Sequence, residues 1–351
     1  MHILLGAVSR PLSVSLFVLT TFVAGTPACA QDSVNIYSYR QPPLIEPVLK
    51  AFTEKTGIKT NVLFLDKGLD ERILAEGENS PADVILTVDI ARLSAIVDKG
   101  ITQPVTDAAI TAEIPAEYRD PNGQWFGLTK RARVVYASKD RVAQNEITYE
   151  ELADPKWKGK LCTRSGQHDY NLALISSMIA HSSVQKAEEW LRGVKANLAR
   201  KPEGGDRDQA KAIFAGECDI ALGNTYYVAQ MLTNEKEPEQ KDWAGSIKVL
   251  FPNANDRGSH VNVSGMALAK YAPDKEAALK LMTYLASPEA QKIYAEQVFE
   301  YPVDPNVKPS ELVASFGELK ADPLPLADIA ANRKAASEIV DRVAFDDGAG
   351  S

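Results

Sequence analysis

"VNIYSYRQPPLIEPVLKAFTEKTGIKTNVLFLD", residues 34–66, starts as a strand, turns through Arg40-Gln41-Pro42-Pro43 and continues as a helix. Apolar residues recur at helical spacing through 44–57, and Gly57 supplies the stop. A second strand follows at 59–66. Onward from this stretch, "DERILAEGENSP" (70–81) reads as a helix and "ADVILTV" (82–88) as a buried strand. "DIARLSAIVDKG" (89–100) reads as a helix ending on Gly100. Strand–helix–strand units in this order predict a parallel sheet with crossover helices. The alternation resumes with strands at "ARVVYAS" (132–138), "DIALGN" (219–224) and "HVNVSGMALAK" (260–270). Helices intervene at 171–181, 187–199 and 208–217, and paired helices follow at 275–297. The expected architecture is α/β with two lobes that close over a ligand held in the cleft.

The first thirty residues are a processing segment. Arg10 precedes an apolar run (11–25) shorter than the roughly 20 residues of a comfortable membrane span. Ala28-Cys29-Ala30 forms a small-residue cleavage pattern, so 1–30 reads as a signal peptide and Gln31 as the mature N-terminus. Residues 25–28 lack the leucine usual before a lipoprotein cysteine. Secretion is the expectation.

The formal charge is −8, and no Lys/Arg run accompanies it, which argues against nucleic-acid binding. After cleavage only Cys162 and Cys218 of the three cysteines remain. In an oxidising compartment two cysteines predict one disulfide, worth about 4 kcal/mol in the chain-entropy model. His168, His181 and His260 show no spacing typical of metal ligands. An enzyme is disfavoured, because G-x-S-x-G, H-E-x-x-H and a spare cysteine are all missing.

Three loops fall at strand carboxyl ends, where open α/β sheets gather ligands: "SYRQPP" (38–43), "RSGQHDYN" (164–171) and "GNTYY" (223–227). The last places Tyr226 and Tyr227 at a helix entrance. Adjacent residues there differ by only about 100°, so both rings can reach one ion. A tyrosine at a helix start is ordinarily a half-buried packing residue with a wet hydroxyl. Its position in these loops is what raises the question of a ligand.

The segments "YSYRQPPLIEP", "PADVILTVDIARL", "TKRARVVY", "DPKWKGKLCTRSGQHDYN", "GNTYY" and "GSHVNVSG" resemble, in order through 34–302, the periplasmic ferric-iron-binding proteins of ABC importers. The resemblance implies a type II periplasmic-binding-protein fold, with strands crossing between lobes near Thr129–Val135 and His260–Gly265, so that 31–130 is the first part of lobe 1, 131–259 lobe 2, 260–304 the return to lobe 1 and 305–351 a C-terminal helical tail. It implies that Tyr170, Tyr226 and Tyr227 hold Fe(III). Many members add a histidine or tyrosine after the first strand. Here Arg40-Gln41-Pro42 stands in that place, so the match is to a subgroup with three tyrosines and a small anion such as carbonate. Arg40, Gln41 and Arg131 are the expected anion or supporting residues. Arg133 shares the Arg131 face, and sequence alone does not separate the two. The implied partners are an inner-membrane ABC permease and ferric ion, with the receptor a monomer.

The chemistry agrees. Ferric iron is hard and prefers oxygen anions, and a bound cation can drive the proton from a phenol whose ordinary pKa is about 10. Three phenolates match the 3+ charge. His168 is a competing ligand candidate, Asp89 reads as a helix cap, and Ser259 and His260 read as structural. The alternative reading keeps the fold and changes the cargo to a small organic cation, such as a polyamine or thiamine-like molecule, or an oxyanion.

Overall fold

The computed structural model describes His2 and residues 33–350; the rest of the expected signal peptide, with Gln31, lies outside the described residues. β1 (Ser33–Ser38), α1 (Glu46–Thr56), β2 (Lys59–Phe64), α2 (Leu69–Glu76), β3 (Val84–Thr87) and α3 (Ile90–Asp98) follow the expected alternation. Val48, Leu49 and Phe52 form the buried stripe of α1. Gly57 ends that helix in the left-handed region (φ 74°), which a side chain would disfavour. Asp89 caps α3 as expected, its carboxylate accepting from the Arg92 N–H at 2.8 Å.

Next come β4 (Thr102–Gln103), α4 (Ala108–Glu113) and β5 (Phe126–Ser138). β5 begins six residues before the expected start and is buried at every position except Lys130, so it serves as a central strand. β6 (Leu161–Cys162), α5 (Asp169–His181), α6 (Val184–Ala196), α7 (Asp206–Phe214), β7 (Ile220–Asn224), α8 (Thr225–Leu232), α9 (Glu239–Gly245) and β8 (Ile247–Leu250) follow. The chain then returns through β9 (Val261–Ala269), α10 (Lys275–Ala286), α11 (Pro288–Ile293) and β10 (Tyr301–Pro302). It closes with α12 (Glu311–Ala314), α13 (Leu326–Ala331) and α14 (Arg333–Val343).

The sheet runs β2-β1-β3-β9-β5-β7-β6. Its two ends are parallel, as the alternation predicts. Its centre is antiparallel at β3–β9, β9–β5 and β5–β7, which the local pattern did not reveal. Within this centre β5 changes partners along its length. Phe126–Ala132 pairs with β9, whereas Arg133–Ser138 pairs with β7 and β8. This change falls within the expected crossing at Thr129–Val135.

Side chains alternate across each half of the sheet. In the first half, Ile36, Val84 and Leu86 join a core with α1 and α10, while Tyr37, Ile85 and Ala267 face α2, α3 and α13. In the second, Val135, Ile220 and Leu222 face α5, α6 and α14, while Val134, Tyr136 and Ala221 face α7 and α8. Each half is therefore a sheet covered on both sides by helices. The tail spans them: α13 contributes Leu326 and Ile329 to the first half, and α14 contributes Ile339, Val340 and Val343 to the second.

Candidate metal centre

The turn from β7 into α8 is pinned on both sides. Asp206 accepts from the Asn224 N–H at 2.9 Å, and the Tyr136 hydroxyl donates to the Asn224 carbonyl at 2.5 Å. Gly223 makes this possible, since a Cβ there would sit 2.1 Å from the Tyr136 ring. Tyr226 and Tyr227 consequently leave the first turn of α8 together, with ring centroids 4.1 Å apart. Tyr226 is fully buried.

Tyr170 lies in the first turn of α5. His168 caps that helix through Nδ1, which accepts from the Tyr170 N–H at 3.2 Å. Burial and then Arg164 hold the His168 imidazole neutral, down at about 3. One ring nitrogen is thus spent on the backbone rather than presented to the site. The Tyr170 and Tyr226 hydroxyls stand 3.2 Å apart, so loops 56 residues apart in sequence converge on one point. The Cys162–Cys218 disulfide ties together the segments that lead to these two helices.

Arg131 closes one side. It is 4% exposed, its Nη1 lies 3.4 Å from the Tyr170 hydroxyl, and its Nε and Nη2 have no hydrogen-bond partner among the described residues. Arg133, two residues on, is committed elsewhere. It donates to Asp206 at 2.7 Å, Asn224 at 3.1 Å and Asn171 at 2.9 Å. That separates the two arginines. Arg40 is also buried and pairs with Glu300 at 3.0 Å, leaving its Nε unpartnered. Gln41 is exposed at the loop, where its carbonyl accepts from the Leu44 N–H. Ser259 and His260 are buried beside the return strand, bonded to the Pro252 carbonyl and the Tyr149 hydroxyl.

Three residues of the site had no signal in the sequence reading. Arg164 and Arg207 lie over the Tyr170 and Tyr227 rings at 5.1 and 4.8 Å, where a cation favours an electron-rich ring. Asp206 balances Arg133 and Arg164; burial raises its pKa, but the two guanidiniums outweigh that and hold it below the ordinary carboxylate range. Burial and then the Tyr170 phenol push the Tyr226 and Tyr227 phenols above their ordinary value. Both are therefore neutral until a cation displaces the proton. Among the described residues no group of three or more His, Cys, Asp or Glu is placed to hold a metal. Phenol oxygens, backed by an unpaired guanidinium, are what this site offers a hard cation and an anion together.

Residues 37–292 match the family described as bacterial extracellular solute-binding protein. The chain belongs to that family. This solute-binding protein is 44% identical over 303 residues to iron uptake protein A1 of Synechocystis sp., covering 86% of this chain and 83% of the relative. The apo ferric ion-binding protein A of Pasteurella haemolytica superimposes with a TM-score of 0.86 at 50% identity, over 90% of this chain and 98% of the other. A Trichodesmium protein solved with iron and citrate superimposes at 0.83 with 43% identity, over 89% and 99%. The fold is accordingly the type II binding-protein fold, and the solute-binding protein is not an enzyme.

Proposed function

We propose that this chain captures ferric iron in the periplasm, as a monomer, and delivers it to an inner-membrane ABC permease. Tyr170, Tyr226 and Tyr227 hold the metal as phenolates, and a small anion completes the shell. The observation that carries this reading is the approach of the Tyr170 and Tyr226 hydroxyls, 3.2 Å apart, beside the unpaired buried Arg131. Three phenolates balance Fe(III). Around them Arg40 is balanced by Glu300, Arg133 and Arg164 share Asp206, and Arg131 stands uncompensated. With Arg207 over the Tyr227 ring as well, a net positive charge is left over, which suits an anion such as carbonate. Arg131 is its principal holder, with Arg40 and Gln41 at the loop opposite. Lobe 1 comprises 31–130 and 260–304, lobe 2 comprises 131–259, and 305–351 is the tail.

Titration of the metal-free protein with Fe(III), with and without bicarbonate, tests the proposal. A visible tyrosinate-to-iron band should develop, bicarbonate should tighten binding, and Arg131→Ala should abolish the bicarbonate response. A colourless protein would sink the iron assignment. Equal affinity with and without bicarbonate would sink carbonate, and citrate added in its place distinguishes a chelating carboxylate.

A further inference from the structure

Beside the ligand tyrosine, one carboxylate gathers two guanidiniums. Asp169, the first residue of α5, accepts at Oδ2 from Arg92 Nε (3.2 Å) and Nη2 (3.0 Å). At Oδ1 it accepts from Arg333 Nη2 (2.6 Å). The Asp169 side chain is 15% exposed, so this is a partly desolvated network and not a rim contact, where a pair is worth little. Arg92 is itself fixed. It lies 4.0 Å over the Tyr39 ring, and its Nη1 donates to the Asp66 carbonyl at 3.1 Å.

The two arginines lie on helices that cover different halves of the sheet. Arg92 lies on α3, whose Ile90, Leu93 and Ile96 are in the core of the first half. Arg333 opens α14, whose Ile339 and Val340 share a core with Leu172 and Ile175 of α5. Parting the halves would break Arg92–Asp169 and leave Arg333–Asp169 intact. The carboxylate would then keep one partner in either state, which avoids stranding a buried charge. This accounts for two guanidiniums on one carboxylate.

We infer that Asp169 is a positioning residue for Tyr170, latched to Arg92 across the cleft so that the phenol is held at the metal while the lobes are closed. The inference rests on the iron reading of Tyr170. Asp169 does not touch the metal. It ties the start of α5 to α3, and iron escape requires that tie to open.

The test is the rate at which a strong chelator removes iron from wild type, Asp169→Asn, Arg92→Gln and the double variant. Each single variant should fold, keep the visible band and lose iron about tenfold faster. The double variant should be no faster than Asp169→Asn, because each single change already removes the Arg92–Asp169 pair, the one contact of the cluster that joins the two halves. Arg92→Lys, which keeps the charge without the fork, should fall between. Wild-type release from both single variants, or fully additive rates in the double variant, overturns the latch. If wild type takes up no iron, the iron reading fails separately. Small-angle scattering of the metal-free proteins then decides the latch: a larger radius of gyration in Arg92→Gln supports it, and an unchanged one overturns it. Should Asp169→Asn fail to fold, the Arg92 variants carry both readouts.

Discussion

Arg133 and Asp206 form a buried ion pair, Nη1 to Oδ2 at 2.7 Å, with both side chains at most 2% exposed. Two residues earlier on the same strand, Arg131 has no carboxylate partner among the described residues, and that asymmetry decides which arginine keeps nitrogens free beside the tyrosine hydroxyls. Asp206 also accepts from Arg164 and from the backbone of the Asn224 turn. One carboxylate therefore orients the strand, the loop and the helix entrance together.

Asp206→Asn should cost about 3–5 kcal/mol, because it leaves the buried Arg133 guanidinium, and the partly buried Arg164 one, short of a charge. Since the folded-state pKa is depressed, this stabilisation is present above the unfolded value of about 3.9 and is lost as pH falls through the folded one. Urea melts at neutral pH and below pH 4 check both statements. A variant as stable as wild type at neutral pH would refute them.

Tyr226→Phe and Tyr227→Phe should each abolish or shift the visible iron band. The stacked rings remain, so stability should stay within about 1 kcal/mol of wild type. Absorbance after iron loading, paired with a thermal melt, separates loss of a ligand from loss of fold. Unchanged colour and stoichiometry in both would make the pair packing residues.

Iron affinity should fall as pH falls. The Tyr226 and Tyr227 phenols are raised above their ordinary value in the metal-free site, so the metal must displace at least their two protons. Binding in weakly buffered solution should release acid in that proportion. Iron uptake without proton release would exclude phenolate ligation.

Removing the disulfide with Cys162→Ala and Cys218→Ala should lower stability by about 4 kcal/mol in the chain-entropy model, given the 56-residue separation. The denaturation midpoint of the double variant measures it. A shift below about 1 kcal/mol would place the bridge's role in orienting the two tyrosine loops, not in stability.

Arg207→Gln should move the visible band to longer wavelength. The guanidinium over the Tyr227 ring lowers the energy of the electron that is transferred to iron, so its loss shrinks the gap. An unchanged band in an iron-loaded variant would show that the stacking leaves the ligand's electronics alone.

Local periodicity was enough to read α1, α3 and β7, because the burial stripe of a helix and the run of a buried strand are written in adjacent residues. Tyr226 and Tyr227 stood out for the same reason, since they open a helix directly after a strand at the carboxyl edge; the local pattern leaves Tyr170 in a loop ahead of a helix at 171–181, whereas it lies in the first turn of α5. Pairing partners were not written there. The antiparallel centre of the sheet depends on β5 meeting β9 about 130 residues later, a contact between segments whose local patterns do not refer to each other.

The amino-acid sequence by itself determined the α/β alternation, the spacing that puts Tyr226 and Tyr227 at a helix entrance, and the two cysteines available for a bridge. Only the tertiary structure decided which charges are satisfied. Arg131 and Arg133 are alike in type, strand and face, yet Asp206 reaches one and leaves the other bare. Arg40 is likewise claimed by Glu300, and Asp169 by two arginines from opposite halves. The reason is physical. A hydrogen bond within a helix is set by neighbours in the chain, but a buried charge is set by whichever opposite charge folding brings within about 4 Å.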